Sequence, residues 1–492
     1  MSRPTLATSA RRSRARDDAA GFLRQPYAPS PVCPWRVSGC RQAEWLEAWA
    51  IESEWFAHVK VLVLSDTYPP VNRGGAGEVA SLVADGLAAR GHEVCVVTSG
   101  RGADREATGG IGGPGNAGVG VRRIRTPVPA IARRHLSILN PVAVAGVWRV
   151  AREFRPDAVH VHNVHERLSF ASLAVARGGG SQTVPVILTA HDYLLFCLTK
   201  FLCSRGDVSF AAIPTQCVHC TTMRRVPGRN LMVHGLVKRH VTSLACISHA
   251  QARAMACNGF ADVPTTVVHN GLDASTCETR PSDGEMFRRR LGLDSRPIVL
   301  FGGRASGAKG GDQLARAMVR AVKRVPSQLV VLGDRPEYFV TLRAIADEAG
   351  LLAGALHDGG WLDPEGLREA HGAAAVCAIP SVYPDPFNLM TLRAMLHGRP
   401  VVGTCHGATP ELVVHGKTGL IADPWDADAF GDALADILLD PVRARLMGEA
   451  GRRRGMSAFT LGQQIDAYAR LLGDDRRHSS PGVYLPPERG AG

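Results

Sequence analysis

The sequence predicts a doubly wound α/β architecture in two tandem domains. Three observations lead there. Apolar runs of strand length alternate with segments of helical period, the alternation restarts once along the chain, and several runs end on residues able to bind a ligand. The first run, VKVLVLSD from Val59, is continuously apolar, as a strand buried on both faces of a parallel sheet is. A glycine-rich turn, Gly74, Gly75, Ala76 and Gly77, leads into EVASLVADGLAARGH. There Val79, Leu82, Val83 and Leu87 recur at helical spacing, and Gly91 suits a carboxyl-terminal cap. EVCVVTSG then closes a strand, helix, strand unit.

Residues 101–120 are rich in glycine and charge and read as a mobile loop. Beyond them come an apolar helix around 141–154, the strand AVHVH at 158–162, a helix near 169–176, and the strand PVILTAH ending at His191. Ligands of such sheets gather at the carboxyl ends of the strands, where His162 and His191 both fall. A helical, basic segment near 230–256 separates this series from a second one. The second has strands PIVLFGG (297–303), QLVVLGD (328–334), AAVCAIPS (374–381) and PVVGT (400–404), with helices between them. Two such units in tandem imply two Rossmann-like domains facing each other. Residues 462–472 carry Ile465, Tyr468, Leu471 and Leu472 at helical spacing, as a packing helix does.

Composition bounds the partners. At 492 residues the chain is too long for one core. Its 45% hydrophobic and 21% charged residues suit a soluble globular protein. A net charge of +12 favours anionic partners: a nucleotide diphosphate, a lipid phosphate or an anionic membrane face. No zinc finger, basic zipper or ribonucleoprotein motif supports nucleic acid. Scattered cysteines without an evident signal peptide point to reduced thiols and a cytoplasmic location, and no apolar run reaches the roughly 18 residues of a membrane span.

The motifs SDTYPPVNRGGAGEVA, HDY, VVHNGLD, GGRASGAKGG, VLGD, PSVYPDPFN and GATPELVVHGKTGL resemble, in that order, those of the family 4 retaining glycosyltransferases. The likeness runs from about Val59 to Leu472 and rests on the ensemble, each piece alone being weak. It implies a GT-B fold: two facing Rossmann-like doubly wound domains, with a carboxyl-terminal helix crossing back to the first. It also implies a nucleotide sugar, UDP-, GDP- or ADP-linked, as co-substrate in the cleft, and no cofactor required for catalysis.

The residues agree with that chemistry. Glycines at 74–77 let the backbone approach a phosphate closely, with free N–H groups of the following helix beside it, although a tight turn alone would also explain them. The resemblance sets Gly75 beside the donor's sugar and diphosphate. Arg304 and Lys309 follow the strand PIVLFGG, where a guanidinium fork and an ammonium can bind diphosphate oxygens. The segment PSVYPDPFNLMTLRAM should open a helix whose amino-terminal amides, at Asn388, Leu389 and Met390, form an anion site. The family carries two glutamates here, seven residues apart, the second accepting hydrogen bonds from ribose hydroxyls. This chain has Asp385 at the first position and Arg393 at the second. A guanidinium has donors only and cannot replace that acceptor. Ribose would then be held from elsewhere, or Arg393 would use its donors, or the nucleotide differs, or activity is impaired.

By the same likeness His191 is the active-site histidine near the reacting sugar, with Asp385 opposite. His162 and Asn163 are candidates for the acceptor side, and Gly333 and Glu411 for the nucleotide region. Cys197, Cys203, Cys217 and Cys220 crowd one segment; they would hold a structural zinc or be free thiols. Arg224, Arg225, Arg229, Lys238 and Arg239 are interleaved with Val226, Leu231, Met232, Leu236 and Val237. That segment would lie on an anionic membrane, suiting a lipid-linked acceptor at its inner face, or be a solvated amphipathic helix.

The expected division is a disordered leader (1–57), an acceptor-side domain (58–245), a nucleotide-sugar domain (246–455), a crossing helix (456–475) and a disordered tail (476–492). The expected reaction is transfer of a sugar from a nucleotide donor to a glycan or lipid-linked acceptor, in polysaccharide or cell-envelope assembly. A sugar-nucleotide epimerase of the same fold and a non-catalytic scaffold subunit are the alternatives.

Overall fold

The computed structural model describes residues 58–70, 75–100, 118–126, 136–179, 184–197, 200, 228–303, 307–352 and 354–473. Two parallel sheets organise them. The first contains β1 (Lys60–Ser65), β2 (Glu93–Gly100), β3 (Val119–Arg125), β4 (Ala158–Val161), β5 (Val186–Ala190), β6 (Ser243–Cys246) and β7 (Thr265–Val267). Their order is β3-β2-β1-β4-β5-β6-β7. The second contains β8 (Ile298–Gly302), β9 (Gln328–Leu332), β10 (Leu356–Gly360), β11 (Ala374–Ile379), β12 (Val401–Thr404) and β13 (Gly419–Ala422). Here the order is β10-β9-β8-β11-β12-β13. In both, the order reverses beside the founding strand (β1/β4 and β8/β11), and the crevice at that reversal is where such sheets bind ligands.

The helices around the first sheet are α1 (Gly75–Ala89), α2 (Pro141–Phe154), α3 (Arg229–His240) and α4 (His249–Met255). Around the second lie α5 (Asp283–Leu291), α6 (Gly311–Arg324), α7 (Pro336–Glu348), α8 (Pro364–Ala373), α9 (Leu389–Leu396), α10 (Thr409–Leu412), α11 (Ala427–Leu439) and α12 (Pro441–Ala458). The last helix, α13 (Leu461–Gly473), leaves the second sheet and returns to the first. Its Ile465, Tyr468 and Leu472 join β1, β2 and α1 in one buried cluster, each burial contributing on the order of 1.5–3 kcal/mol. Gly86 makes the approach of α1 and α13 close: a Cβ there would lie 2.0 Å from Ile465 Cδ1. Arg90, just after α1, adds an ion pair with Asp466 at 2.5 Å.

Four sequence expectations change. The segment 230–256 is not continuous helix, because β6 runs through it and pairs with β5. With β6 and β7 in the first sheet, the expected division at 245/246 falls inside β6 and the first sheet continues to Val267. The helix near 169–176 is a single 3-10 turn, Phe170–Ala174, with i to i+3 bonds such as Ser172 N to Ser169 O at 3.2 Å. The crossing segment is also divided: α12 runs on to Ala458, and a bridge pairing Thr460 with Leu272 precedes α13. The leader and the tail lie outside the described residues.

Candidate active site

Strand β5 ends at Ala190, and the next three residues, His191, Asp192 and Tyr193, turn toward the second sheet. Tyr193 is fully buried, and its hydroxyl donates to the backbone carbonyl of Pro384 at 2.6 Å. The bond brings the histidine segment of one sheet against the segment carrying Asp385 in the other. Asp385 is 3% exposed and ion-paired with Lys309. Ser381 Oγ adds a donor at 3.5 Å, and Lys309 Nζ stands 5.4 Å from the centroid of the Tyr383 ring. Gly407, at φ 64, is required behind this carboxylate, since a Cβ would lie 2.4 Å from the Asp385 carbonyl oxygen.

His191 does not act alone. Its Nε2 lies 2.8 Å from His162 Nδ1, so one ring donates and the other accepts, and the rings stack at 5.1 Å. Burial depresses His191 to about 4, and His162 far below its ordinary value. Both are therefore neutral near pH 7, and His191 offers a hydrogen-bonding ring rather than a cation. His162 is 0% exposed and sits behind His191, so it orients that ring; the expectation that it meets the acceptor does not fit its burial. His160, two residues earlier, bonds Thr189 Oγ1 at 2.8 Å. Thr189 in turn donates to the Tyr468 hydroxyl at 3.1 Å, tying the crossing helix to the strand that carries His191.

Asn163 donates from Nδ2 to Asp192 Oδ2 at 3.4 Å. The turn after it hangs on Asp66, at the end of β1. The Asp66 carboxylate accepts from the backbone N–H groups of Glu166, Arg167 and Leu168 at 2.5, 3.0 and 2.7 Å. Burial still raises Asp66 to about 7 against those three donors. The motif SDTYPP contained this residue without marking it as an anchor.

The two helix amino-termini meet. A Cβ on Gly75, at the start of α1, would lie 3.4 Å from Leu389 Cδ1, at the start of α9. Asn388 caps α9 by accepting from Met390 N at 3.0 Å, so one of the three expected anion-binding amides is already bonded. Within α9, Met390 Cε comes within 2.7 Å of the Cβ position of Gly302, whose other near neighbour is Leu332. Beyond Leu332 opens a cavity of about 430 Å³ lined by Gly333, Asp334, Pro336, Asp358, Gly360 and Trp361.

Two nucleotide-region candidates are engaged with the other half of the protein. Glu411 accepts from His249 N at 3.0 Å and Ala250 N at 2.7 Å, the first amides of α4, and from His269 Nε2 at 3.0 Å. Burial opposes its ionisation, but these donors hold the carboxyl below its usual range. Its oxygens are occupied, so its place is at the junction of the halves rather than on a nucleotide. Arg393, on α9, is ion-paired with Glu78 in the first turn of α1.

Arg304, Cys203, Cys217, Cys220, Arg224 and Arg225 lie outside the described residues; Cys197 is buried in the first core. Arg229 is buried and donates to the carbonyls of Leu194 and Leu195 at 2.5 and 3.5 Å. It is therefore an internal strut and not part of a basic surface. On α3 the exposed residues include Leu231 and Met232, while Lys238 is paired with Asp262.

Two parallel Rossmann-like sheets, joined by a crossing helix and meeting at segments that carry Lys309 and helix amino-termini, define a two-domain GT-B-type fold. Residues 74–271 match the family described as Glycosyl transferase 4-like domain, and residues 296–440 match Glycosyl transferases group 1. Together the matches take in more than half of the chain, which belongs to the group 1 glycosyltransferases. Over 189 residues it is 35% identical to the GDP-mannose-dependent alpha-(1-6)-phosphatidylinositol monomannoside mannosyltransferase of Mycolicibacterium smegmatis. That match takes in 37% of this chain and 49% of the relative. The chain thus spans about half the length of the curated relatives it matches.

Solved structures share the fold. Sucrose-phosphate synthase from Thermosynechococcus elongatus superposes with a TM-score of 0.66 at 21% identity, over 84% of this chain and 98% of that one. Anabaena HepE, solved with UDP and glucose, does so with 0.63 at 21% identity, over 85% and 100%. The GT-B architecture expected from the motifs is therefore the architecture present.

Proposed function

We propose that the chain is a retaining, metal-independent glycosyltransferase that moves a hexose from a nucleotide sugar to a glycan or lipid-linked acceptor in cell-envelope or polysaccharide assembly. The observation that supports this reading is the Tyr193–Pro384 bond, which brings the segment 191–193 of one sheet against the segment carrying Asp385 in the other. In this reading Lys309 and the amino-terminal amides of α9 hold the donor's diphosphate. As the anomeric C–O bond breaks, negative charge grows on the leaving phosphate, and Lys309 with the α9 amides offsets it without a metal ion. The acceptor hydroxyl attacks from the same face. Its oxygen bonds the anomeric carbon, and its proton passes to the leaving phosphate oxygen. His191, neutral and fixed by His162, holds a hydroxyl of the donor sugar. Asp385 holds Lys309 and accepts from the sugar.

The relative's name supplies the class: a GDP-mannose donor and a lipid acceptor, with HepE adding UDP and glucose as the kind of ligand the fold accepts. No helix among the described residues is long and apolar enough to cross a membrane. The reading places the chain in the cytoplasm, meeting an anionic inner membrane face through peripheral contact. Thermal unfolding with UDP, GDP, ADP and their sugar conjugates, on the parent and on Lys309→Ala, tests the donor site. Stabilisation of the parent alone supports it, and no shift with any nucleotide overturns it. Incubating the stabilising sugar nucleotide without acceptor then separates a transferase from an epimerase, which would release an isomer.

A further inference from the structure

Resting on the nucleotide-sugar reading, we infer that Glu78 is the group that binds the donor's ribose hydroxyls, reaching them from the opposite domain and held in place by Arg393.

A nucleoside diphosphate with its phosphates at the start of α9 and its base in the Gly333–Trp361 cavity must lay its ribose beside α9, since Met390, Gly302 and Leu332 connect the two places. Ribose presents two neighbouring hydroxyls, and specific recognition needs an acceptor for their protons. The carboxylates near this path are few. Asp385 is buried against Lys309, and Glu411 is filled by three donors. Asp334 and Asp358 line the cavity itself. Glu78 remains, and it meets α9 from across the cleft.

Its placement follows from helix geometry. Gly75 and Glu78 are three apart on α1, and Leu389 and Arg393 four apart on α9, so each pair shares a helix face. A Cβ on Gly75 would lie 3.4 Å from Leu389 Cδ1, and Glu78 pairs with Arg393, so the first turn of α1 meets this face of α9 at two points. Arg393 engages Glu78 through Oε1. Among the described residues nothing occupies Oε2, and the side chain is 41% exposed. The guanidinium holds the carboxylate beside α9. A residue without acceptor capacity thus stands beside the ribose path because its partner supplies that capacity.

The test is isothermal titration calorimetry of UDP, GDP and ADP and of their 2′-deoxy counterparts against four proteins. These are the parent, Glu78→Ala, Arg393→Ala, and the double variant Glu78→Ala with Arg393→Glu, each first shown by its unfolding transition to be folded. The parent should prefer the ribonucleotide at least tenfold. Glu78→Ala should reduce that preference to within about twofold, and the double variant, which returns a carboxylate to α9, should restore it. Arg393→Ala should weaken both nucleotides while keeping part of the preference. An unchanged ribose preference in Glu78→Ala, with nucleotide still bound, overturns this inference and leaves the transferase reading intact. Failure of the parent to bind any of the three nucleotides overturns both.

Discussion

Tyr193 donates its hydroxyl proton to the carbonyl of Pro384 at 2.6 Å, and this bond joins residues that are 191 positions apart in the chain. Three further contacts cross the same boundary: Glu411 on the first turn of α4, Arg393 on Glu78, and Leu389 against Gly75. The catalytic candidates are therefore set by how the two sheets meet as much as by either sheet.

Tyr193→Phe removes the donor and leaves the Pro384 carbonyl without it. Such a loss costs about 1–3 kcal/mol when the abandoned group is buried. The expected outcome is a lower unfolding midpoint and a fall in kcat/KM, read by calorimetry and by steady-state transfer. Unchanged kcat/KM would show that closure does not depend on this bond.

Lys309→Met leaves the Asp385 carboxylate buried without its cation. Breaking a buried pair from one side costs about 3–5 kcal/mol, so the single variant should be markedly less stable. Adding Asp385→Asn removes the stranded charge and should recover much of that stability. It should not recover activity, because the diphosphate still lacks its cation. Chemical denaturation and transfer assays on both variants separate the two effects.

Glu411→Gln retains size but turns an NH₂ group toward the backbone donors of α4. An unfolding midpoint lower than the parent's is expected, on the scale of about 1–3 kcal/mol for unsatisfied buried donors. Nucleotide affinity should change less than in Lys309→Met. A selective loss of nucleotide binding at unchanged stability would return Glu411 to the nucleotide site.

Acid should destabilise the protein below pH 6.5. Burial lowers His160 to about 3, and His191 and His371 to about 4, whereas the unfolded chain binds these protons near 6.5. Between about pH 4 and 6.5 the unfolded state holds more protons, so stability falls with pH. Asp66 acts in the opposite sense: raised to about 7, its contribution is present near pH 4 and is lost as pH rises toward 7. Three histidines outweigh one carboxylate, and unfolding midpoints at pH 7.5, 6 and 5 should decrease in that order. An unchanged midpoint at pH 5 would mean that these rings are solvated.

The sequence marked those strands that are long and continuously apolar, such as KVLVLS and IVLFG. It hid those whose length or place masks the pattern. β6 has four residues between two helices, and β7 has three, none of them fully buried. β3 and β10 are edge strands, carrying arginines in one and Asp-Gly-Gly in the other. For the site, His191, Lys309 and Asp385 were legible because one motif holds each. Glu78, Tyr193 as a cross-domain donor, and the task of Glu411 were not, since each depends on a partner more than a hundred residues away. The leader, Arg304 and three of the four clustered cysteines lie outside the described residues.

The crossing helix also has a bearing on biosynthesis. Ile465, Tyr468 and Leu472 complete the apolar layer beneath β1 and α1, yet they are translated after the entire second sheet. The amino-terminal half must emerge from the ribosome with that layer uncovered and wait for the end of α13 before it can close. The interval is one in which a trigger-type chaperone would find its binding surface, and shortening the chain before Leu461 would make that exposure permanent.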